Sequence, residues 1–371
     1  MKILHVVRQF NPSIGGLEDY VYSLALEQIK AGYSVDVLTA NTNFQTDAVL
    51  DKTEEINGIT VNRLSWSLSK RYPIIWIKPG LLNQYDLVHI HAVDFFIDYI
   101  SLLKKLRLVK SKVCLTTHGG FFHTPNQQGL KKFYFKTVTR FSLMGINRVF
   151  TISSNDQNLF NQIKKGCQLV ANGVRLQKFG PKLTNNLANA PDSNGSQSDL
   201  ICLGRFSSNK KIAWLIQAYA LLQNPQGKLK IIGGSATGDT AALQNLITQL
   251  NAEDKIELLL DIPDSEILAH ISAAKFVVSA SEYEGFGLSV VELMSYGLIP
   301  FLSDKPDSFV DFINQSECGV LFDYNLESFQ DKYNQLLACD NAAEATKALD
   351  FSQQFSWSKV AKQINEGYKD A

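Results

Sequence analysis

Glu284 and Glu292 bracket Gly285-Phe286-Gly287-Leu288-Ser289-Val290-Val291, a segment that begins as a glycine-spaced turn and ends in a helical pattern. Gly285 and Gly287 can take backbone angles closed to other residues, so the chain can present successive N–H groups at a helix start, where the dipole favours a phosphate. If most of the segment is helical, the two carboxylates lie on related faces slightly more than two turns apart. A phosphate between two carboxylates is repelled unless cations help. The alternative is an ordinary first turn in which Glu284 complements the dipole and Glu292 is solvated.

Cations of suitable type occur in Gly204-Arg205-Phe206-Ser207-Ser208-Asn209-Lys210-Lys211. Arg205 offers a planar fork and Lys210 a point charge for a diphosphate. The alternative is a pair of solvated surface cations. A third cluster is Asn11-Pro12-Ser13-Ile14-Gly15-Gly16-Leu17-Glu18, where paired glycines precede a helix running to Gly32. It can cradle an anion but lacks the dinucleotide-binding spacing. At Ile232-Gly233-Gly234, a strand end, Gly233 permits close approach of a flat ring or ribose, or is a plain turn. The fifth is Thr116-Thr117-His118-Gly119-Gly120-Phe121-Phe122-His123, in which His118 ends a strand and is exposed enough for chemistry. His5, inside the first strand, reads as a hydrogen-bonded core residue. No Asp-x-Asp occurs and the histidines lack ligand spacing, so neither metal nor cofactor is expected.

The elements that position these clusters are short buried-strand runs alternating with amphipathic helical stretches. Strands are predicted over 2–7, 34–39, 60–64, 87–91, 113–117 and 148–152, and again over 199–203, 228–232, 256–260, 275–279, 298–302 and 319–322. The pattern implies an α/β protein with two parallel sheets, each covered by helices on both faces, and ligands at the carboxyl ends of strands. Between them, 181–198 is poor in apolar residues and without period, as in a linker. The predicted domains are therefore 1–180 and 199–354, with a last helix, 355–371, that can return to the first half through Trp357, Val360, Ile364 and Tyr368.

At 371 residues with 45% hydrophobic content, the chain suits two ordinary cores. Five widely spaced cysteines read as reduced core residues of a cytosolic protein. The N-terminus does not read as a signal peptide, and no apolar run approaches the roughly 20 residues of a spanning helix. Net charge is zero, but residues 1–180 hold 22 Lys+Arg against 12 Asp+Glu, while 181–371 hold 14 against 24. A basic half points to an anionic partner (a membrane surface, nucleic acid or polyphosphate) or to attraction between the halves. Ser69-Lys70-Arg71-Tyr72-Pro73-Ile74-Ile75-Trp76-Ile77-Lys78 sets basic flanks around an apolar centre, as at an anionic membrane interface, and lysines and arginines over 104–112 and 131–140 strengthen the field.

Taken together, these residues resemble the retaining nucleotide-sugar glycosyltransferases of family 4. The strongest element is Ser281-Glu282-Tyr283-Glu284-Gly285-Phe286-Gly287-Leu288 through Glu292, Met294 and Gly297, similar to the family's E-x7-E signature. Gly204–Lys210, Gly15-Gly16, Asn172-Gly173-Val174 and His118 follow in the family's order. The opening His5–Gly16 and the stretch His118–Thr124 resemble the branch of bacterial exopolysaccharide α-mannosyltransferases of the acetan and xanthan type.

The resemblance implies the GT-B fold, two Rossmann-like domains facing across a cleft whose closure assembles the site. It implies transfer of mannose from GDP-mannose to a polyprenyl-diphosphate-linked oligosaccharide, forming an α-1,3 bond, by a protein held peripherally at the inner face of the cell membrane and without a nucleic-acid partner. By the same resemblance Arg205 and Lys210 neutralise the diphosphate, and Gly287 and Leu288 hold the distal phosphate. Glu292 takes the ribose, Glu284 the sugar hydroxyls, and His118 with Gly16 completes the sugar pocket. Gly119, Gly120, Phe121, Phe122 and His123 fall on the acceptor side. Asp264 can face guanine or cap the helix 265–273.

The chain departs from the family at Lys211, where glycine is frequent, and at Arg175, where aspartate is frequent. Two alternatives stay open: a family 4 enzyme with a UDP-sugar donor, and a sugar-nucleotide epimerase of the same fold. A nicotinamide oxidoreductase is disfavoured because neither glycine loop has the fingerprint with an acid about 20 residues on.

Overall fold

The computed structural model describes residues 1–70, 72–119, 128–181, 198–234 and 240–371. Gly120, Phe121, Phe122, His123, Arg71 and most of the stretch 181–198 lie outside these described residues. The chain divides into two compact units, Met1–Gly173 with Trp357–Ala371, and Val174–Ser356.

The first unit carries β1 (Lys2–Val6), β2 (Ser34–Ala40), β3 (Thr53–Ile56) and β4 (Ile59–Leu64), then a small hairpin of β5 (Ser67–Ser69) and β6 (Tyr72–Ile74). β7 (Leu87–His91), β8 (Lys112–Thr116), β9 (Arg148–Thr151) and β10 (Gln168–Leu169) follow. Its main sheet has the order β10-β9-β8-β7-β1-β2-β4-β3, parallel except for β3, which runs antiparallel to β4 at the edge. The second unit holds β11 (Leu200–Leu203), β12 (Leu229–Gly233), β13 (Ile256–Leu260), β14 (Phe276–Ser279), β15 (Ile299–Ser303) and β16 (Val320–Phe322). These form one parallel sheet in the order β13-β12-β11-β14-β15-β16.

Every predicted strand forms, with ends within one residue of the expected bounds. The reason is physical: a parallel strand covered on both faces reads as a continuous apolar run, as in Phe276-Val277-Val278, and such runs are unambiguous between helix-length segments. β3, Thr-Glu-Glu-Ile, carries no such run and was not expected. It is held by a two-residue turn at Asn57-Gly58, both in the left-handed region at φ 50° and 82°, which suits a tight hairpin.

The predicted boundary at 180 moves to Gly173. Residues 177–180 are fastened to the second unit: the Gln177 amide donates to Ser295 Oγ, the Phe179 amide donates to Tyr296 Oη, and Tyr296 donates on to the Gly180 carbonyl. At the other end the boundary falls after Ser356, and helix Trp357–Lys369 returns to the first unit. Val360, Ile364 and Tyr368 are buried there against helix Gly16–Lys30 and the sheet, each aliphatic side chain contributing on the order of 2 kcal/mol. Glycine is required at position 367, where an added Cβ would lie 2.5 Å from the Phe150 ring.

The segment 69–78 differs from its expected role. Ile75 and Ile77 are core residues, Pro73 is buried, and only Trp76 of the apolar centre is largely exposed, at 69%. Alternation of inward and outward side chains in an extended strap turns its apolar residues into the protein. Among the described residues, no helix is long and apolar enough to cross a membrane. Cys114, Cys167, Cys202, Cys318 and Cys339 are all free thiols, four of them buried.

Candidate active site

In the second sheet the chain builds outward from β11 through β12 to β13, then returns to place β14 on the other side of β11. Loops after β11 and β14 therefore leave the sheet edge in opposite directions, the place where open parallel sheets bind ligands. Both charged clusters stand on these two loops. After β11 come Gly204 and Arg205, a single turn Ser208–Lys210, and helix Ile212–Ala220. After β14 come Ser281 and Glu284, then helix Leu288–Met294, which contains Glu292.

The two loops are stitched together. The Glu282 amide donates to the Asn209 carbonyl at 2.7 Å, and the Asn209 side chain donates to the Tyr283 carbonyl at 3.0 Å. Lys210 Nζ lies 2.5 Å from Glu284 Oε1, and Ser281 Oγ donates to the same oxygen at 2.7 Å. Lys211 reaches Glu282 at 2.8 Å. Lys210, expected to serve a diphosphate, and Glu284, expected to serve sugar hydroxyls, form one ion pair in this structure, because each is largely buried and needs the other. Arg205 is exposed, and no ion pair engages it among the described residues. Glu292 lies 3.7 Å from Lys178, a cation the sequence reading missed. Lys178 follows the Asn172-Gly173-Val174 turn by only a few residues, which is the signal that points to it.

Glycine chemistry at this edge is narrower than expected. Gly287, the residue before helix Leu288–Met294, has φ 99°, and a Cβ there would meet Phe309 at 2.8 Å. Gly285 has no positive φ and faces open space, so the turn does not require glycine there. Glu284 stands in the loop before the helix, so the two glutamates do not share a helical face. Phe286 is a core residue, its ring edge-on to Phe312 and Phe355, each at 5.3 Å, and its side chain is unavailable to a ligand. Leu288 is half-buried at the helix start. Gly233, ending β12, packs its Cα against the loop after β11: a Cβ would stand 2.3 Å from the Gly204 carbonyl oxygen. Asp264 is exposed in the first turn of helix Asp264–Ala273, which Pro263 precedes, so the expected capping role is not taken up.

The first sheet reverses direction in the same way, between β1 and β7. Gly15 precedes helix Gly16–Lys30 in extended backbone, and Gly16 has open space around its Cα. Beyond β8, His118 takes φ 52°, an uncommon left-handed conformation for a side-chain-bearing residue. It is half-buried rather than openly exposed, and Tyr20 meets it edge-on at 4.6 Å between ring centres. Gly119 follows it, also half-buried.

Four histidines converge here, and sequence spacing joins only two of them, His89 and His91, two residues apart on β7. Parallel register sets His5 opposite His89 on neighbouring strands, and His91 lies two residues further along the same face. His5 Nδ1 lies 2.8 Å from His91 Nε2, and His91 Nδ1 lies 3.2 Å from His118 Nε2. His89 bonds Tyr368 Oη and Thr116 Oγ1. His5, His89 and His91 are close enough to share a metal ion, yet every one of their ring nitrogens is already hydrogen-bonded. Burial drives their protonation down: His5 to about 4, His118 to about 3, and His89 and His91 well below the ordinary histidine range, the last two with added repulsion from neighbouring histidines.

Residues 14–178 match the family described as Glycosyltransferase Family 4, and residues 184–349 match Glycosyl transferases group 1. The chain is 34% identical to the GDP-mannose:cellobiosyl-diphosphopolyprenol alpha-mannosyltransferase of Xanthomonas campestris, over 100% of this chain and 97% of that protein. A protein of the same name from Komagataeibacter xylinus is 30% identical over 100% and 93%. Among solved structures, sucrose-phosphate synthase from Thermosynechococcus elongatus aligns with a TM-score of 0.72 at 21% identity, covering 99% of this chain and 98% of that one. A glycosyltransferase from Rickettsia africae aligns with a TM-score of 0.72 at 18% identity, covering 100% and 98%. The two-sheet architecture is the GT-B fold.

Proposed function

This chain belongs to glycosyltransferase family 4 and is a glycosyltransferase, and from that premise we propose that it moves mannose with retention from GDP-mannose to a polyprenyl-diphosphate-linked oligosaccharide, making an α-1,3 bond in exopolysaccharide assembly. The observation that carries the reading is the pair of stitched loops at the reversal of the second sheet, which gathers Arg205, Lys210, Glu284 and Glu292 in one unit. The activity for which the relatives are named supports the choice of donor and acceptor class.

In this reading Arg205 and Lys210 stabilise the charge that develops on GDP as the bond between the anomeric carbon and the phosphate oxygen breaks. The diphosphate draws Lys210 from Glu284, and Glu284 turns to the sugar hydroxyls. Gly287 and Leu288 amides hold the distal phosphate, Glu292 the ribose, Gly204 and Gly285 leave room for the nucleotide, and Gly233 lets the Gly204 loop close against β12 beside it. Asp264 faces the guanine edge. Gly15, Gly16 and His118 serve the donor sugar, and Gly119 the acceptor. The acceptor hydroxyl attacks on the face the phosphate leaves, and the departing phosphate oxygen takes its proton. No covalent nucleophile is invoked. With two cations at the diphosphate no metal is invoked either, so a chelator leaves turnover unchanged.

The lipid-linked acceptor goes with peripheral attachment to the inner face of the membrane. Helices Phe95–Lys105 and Arg140–Leu143 are joined by Ser101 donating to the Ser142 carbonyl at 2.5 Å. They and their flanks expose Leu102, Leu106, Phe141 and Met144 beside Arg107, Lys136 and Arg140. Apolar residues rimmed by cations suit an anionic bilayer.

Incubation with radiolabelled GDP-mannose, UDP-glucose or UDP-N-acetylglucosamine plus membrane lipid extract tests the proposal. Label from GDP-mannose entering the organic phase is expected. Label from a UDP-sugar alone overturns the donor, and a new sugar nucleotide without lipid product indicates epimerisation. Calorimetry with GDP and UDP gives the base preference directly.

A further inference from the structure

The buried histidines form a directed chain. Gln28 is completely buried, and its amide nitrogen donates to Asn365 Oδ1 and Tyr368 Oη, each at 3.1 Å. Its oxygen is therefore the acceptor facing His5 Nε2 at 2.7 Å, so that nitrogen carries the proton. A neutral imidazole has one N–H, which leaves His5 Nδ1 to accept from His91 Nε2. His91 Nδ1 must then accept, and His118 Nε2 donates to it. The neighbouring branch has a compatible direction: Tyr368 accepts from Gln28, donates to His89 Nδ1, and leaves His89 Nε2 to donate to Thr116.

We propose that the chain Gln28–His5–His91–His118 fixes the tautomer of His118, keeping its Nδ1 bare so that His118 accepts a hydrogen bond from a hydroxyl instead of donating one. Gln28, His5 and His91 are positioning residues. The hydroxyl is one of the donor sugar's, a part of the inference that rests on the role proposed above for His118. Burial keeps all three rings neutral, so the direction set at Gln28 persists to the strand end.

The protein labelled with 15N-histidine, read by long-range proton–nitrogen correlation at neutral pH, tests the chain without any assay of activity. The His118 signals are assigned with His118→Asn. A proton on His118 Nε2 and a bare Nδ1 are expected, and a proton on Nδ1 overturns the proposal even if transfer from GDP-mannose is confirmed. Gln28→Leu removes the acceptor that sets the direction. Its His118 should become a mixture of tautomers, with kcat down about tenfold, the worth of one hydrogen bond in the transition state, and the donor KM within about twofold. A mixed tautomer with unchanged kcat overturns the catalytic half. Should Gln28→Leu fail to fold, the wild-type spectrum still decides the tautomer.

Discussion

The Lys210 ammonium and the Glu284 carboxylate lie 2.5 Å apart, with Ser281 donating to the same carboxylate oxygen. Two residues 74 positions apart are thus held as one unit between the loops after β11 and β14. Removing either charge leaves the other largely buried without its partner, so the single variants report on the unit and not on one side chain.

Lys210→Ala and Glu284→Ala should each reduce turnover by on the order of 100-fold while circular dichroism stays native. The double variant should lose far less than the product of the two losses, as residues acting as a unit do. Near-normal transfer by both single variants would remove the pair from the mechanism.

Lys211 holds φ 50°, the left-handed region, as the residue before helix Ile212–Ala220, at the position where the family frequently has glycine. That conformation costs a residue with a side chain about 1–2 kcal/mol, whereas its exposed pair with Glu282 returns only about 0.2–1. Lys211→Gly should therefore raise the stability of the second unit by up to about 1 kcal/mol in urea unfolding. A drop in the midpoint would show that the ion pair outweighs the strain.

The histidine cluster makes stability depend on pH. Each buried histidine has its folded value depressed below the ordinary 6.5, His5 to about 4, so unfolding takes up a proton at mildly acid pH. The stabilisation is intact above about 6.5 and is lost as pH falls toward the folded value. Asp94 runs the other way, because burial raises it to about 7 and the folded state then gains the proton. The difference between proteins isolates one histidine: His89→Asn should flatten the slope of unfolding free energy between pH 6 and pH 5, by up to about 1.4 kcal/mol per pH unit. Parallel slopes for variant and wild type would mean that His89 is charged when folded.

Co-sedimentation with liposomes should require anionic lipid and weaken as salt rises. Phe141→Ser with Met144→Ser should reduce it several-fold, with stability lowered by no more than about 1–2 kcal/mol, since Met144 is largely exposed and Phe141, which carries the Lys105 ammonium over its ring, is about half exposed. Binding indifferent to lipid charge and salt counts against a membrane-facing role.

Legibility in the sequence followed the physics of each signal. Strands buried on both faces announce themselves as apolar runs, and the charged loops after β11 and β14 were visible because glycine, arginine, lysine and glutamate cluster there. Hidden were features made by register or rotation. His5 meets His89 and His91 because parallel pairing aligns β1 with β7, and no spacing along the sequence joins residues of those two strands. Phe286 sits inside the glutamate signature yet points into a phenylalanine cluster, since the turn at Gly287 rotates it inward. The ion pair of Lys210 and Glu284 depends on contact between loops after adjacent strands, which the order β11-β14 creates.

The return of helix Trp357–Lys369 to the first unit also bears on biosynthesis. Residues 174–356 form an uninterrupted stretch that can fold as soon as it has left the ribosome. The first unit cannot, because Gln28 waits for Asn365 and Tyr368, and the pocket around Gly173 waits for Trp357. The part of the protein made first is therefore the last to be finished, since Gln28 meets Asn365 and Tyr368 only after the whole of the second unit has been synthesised.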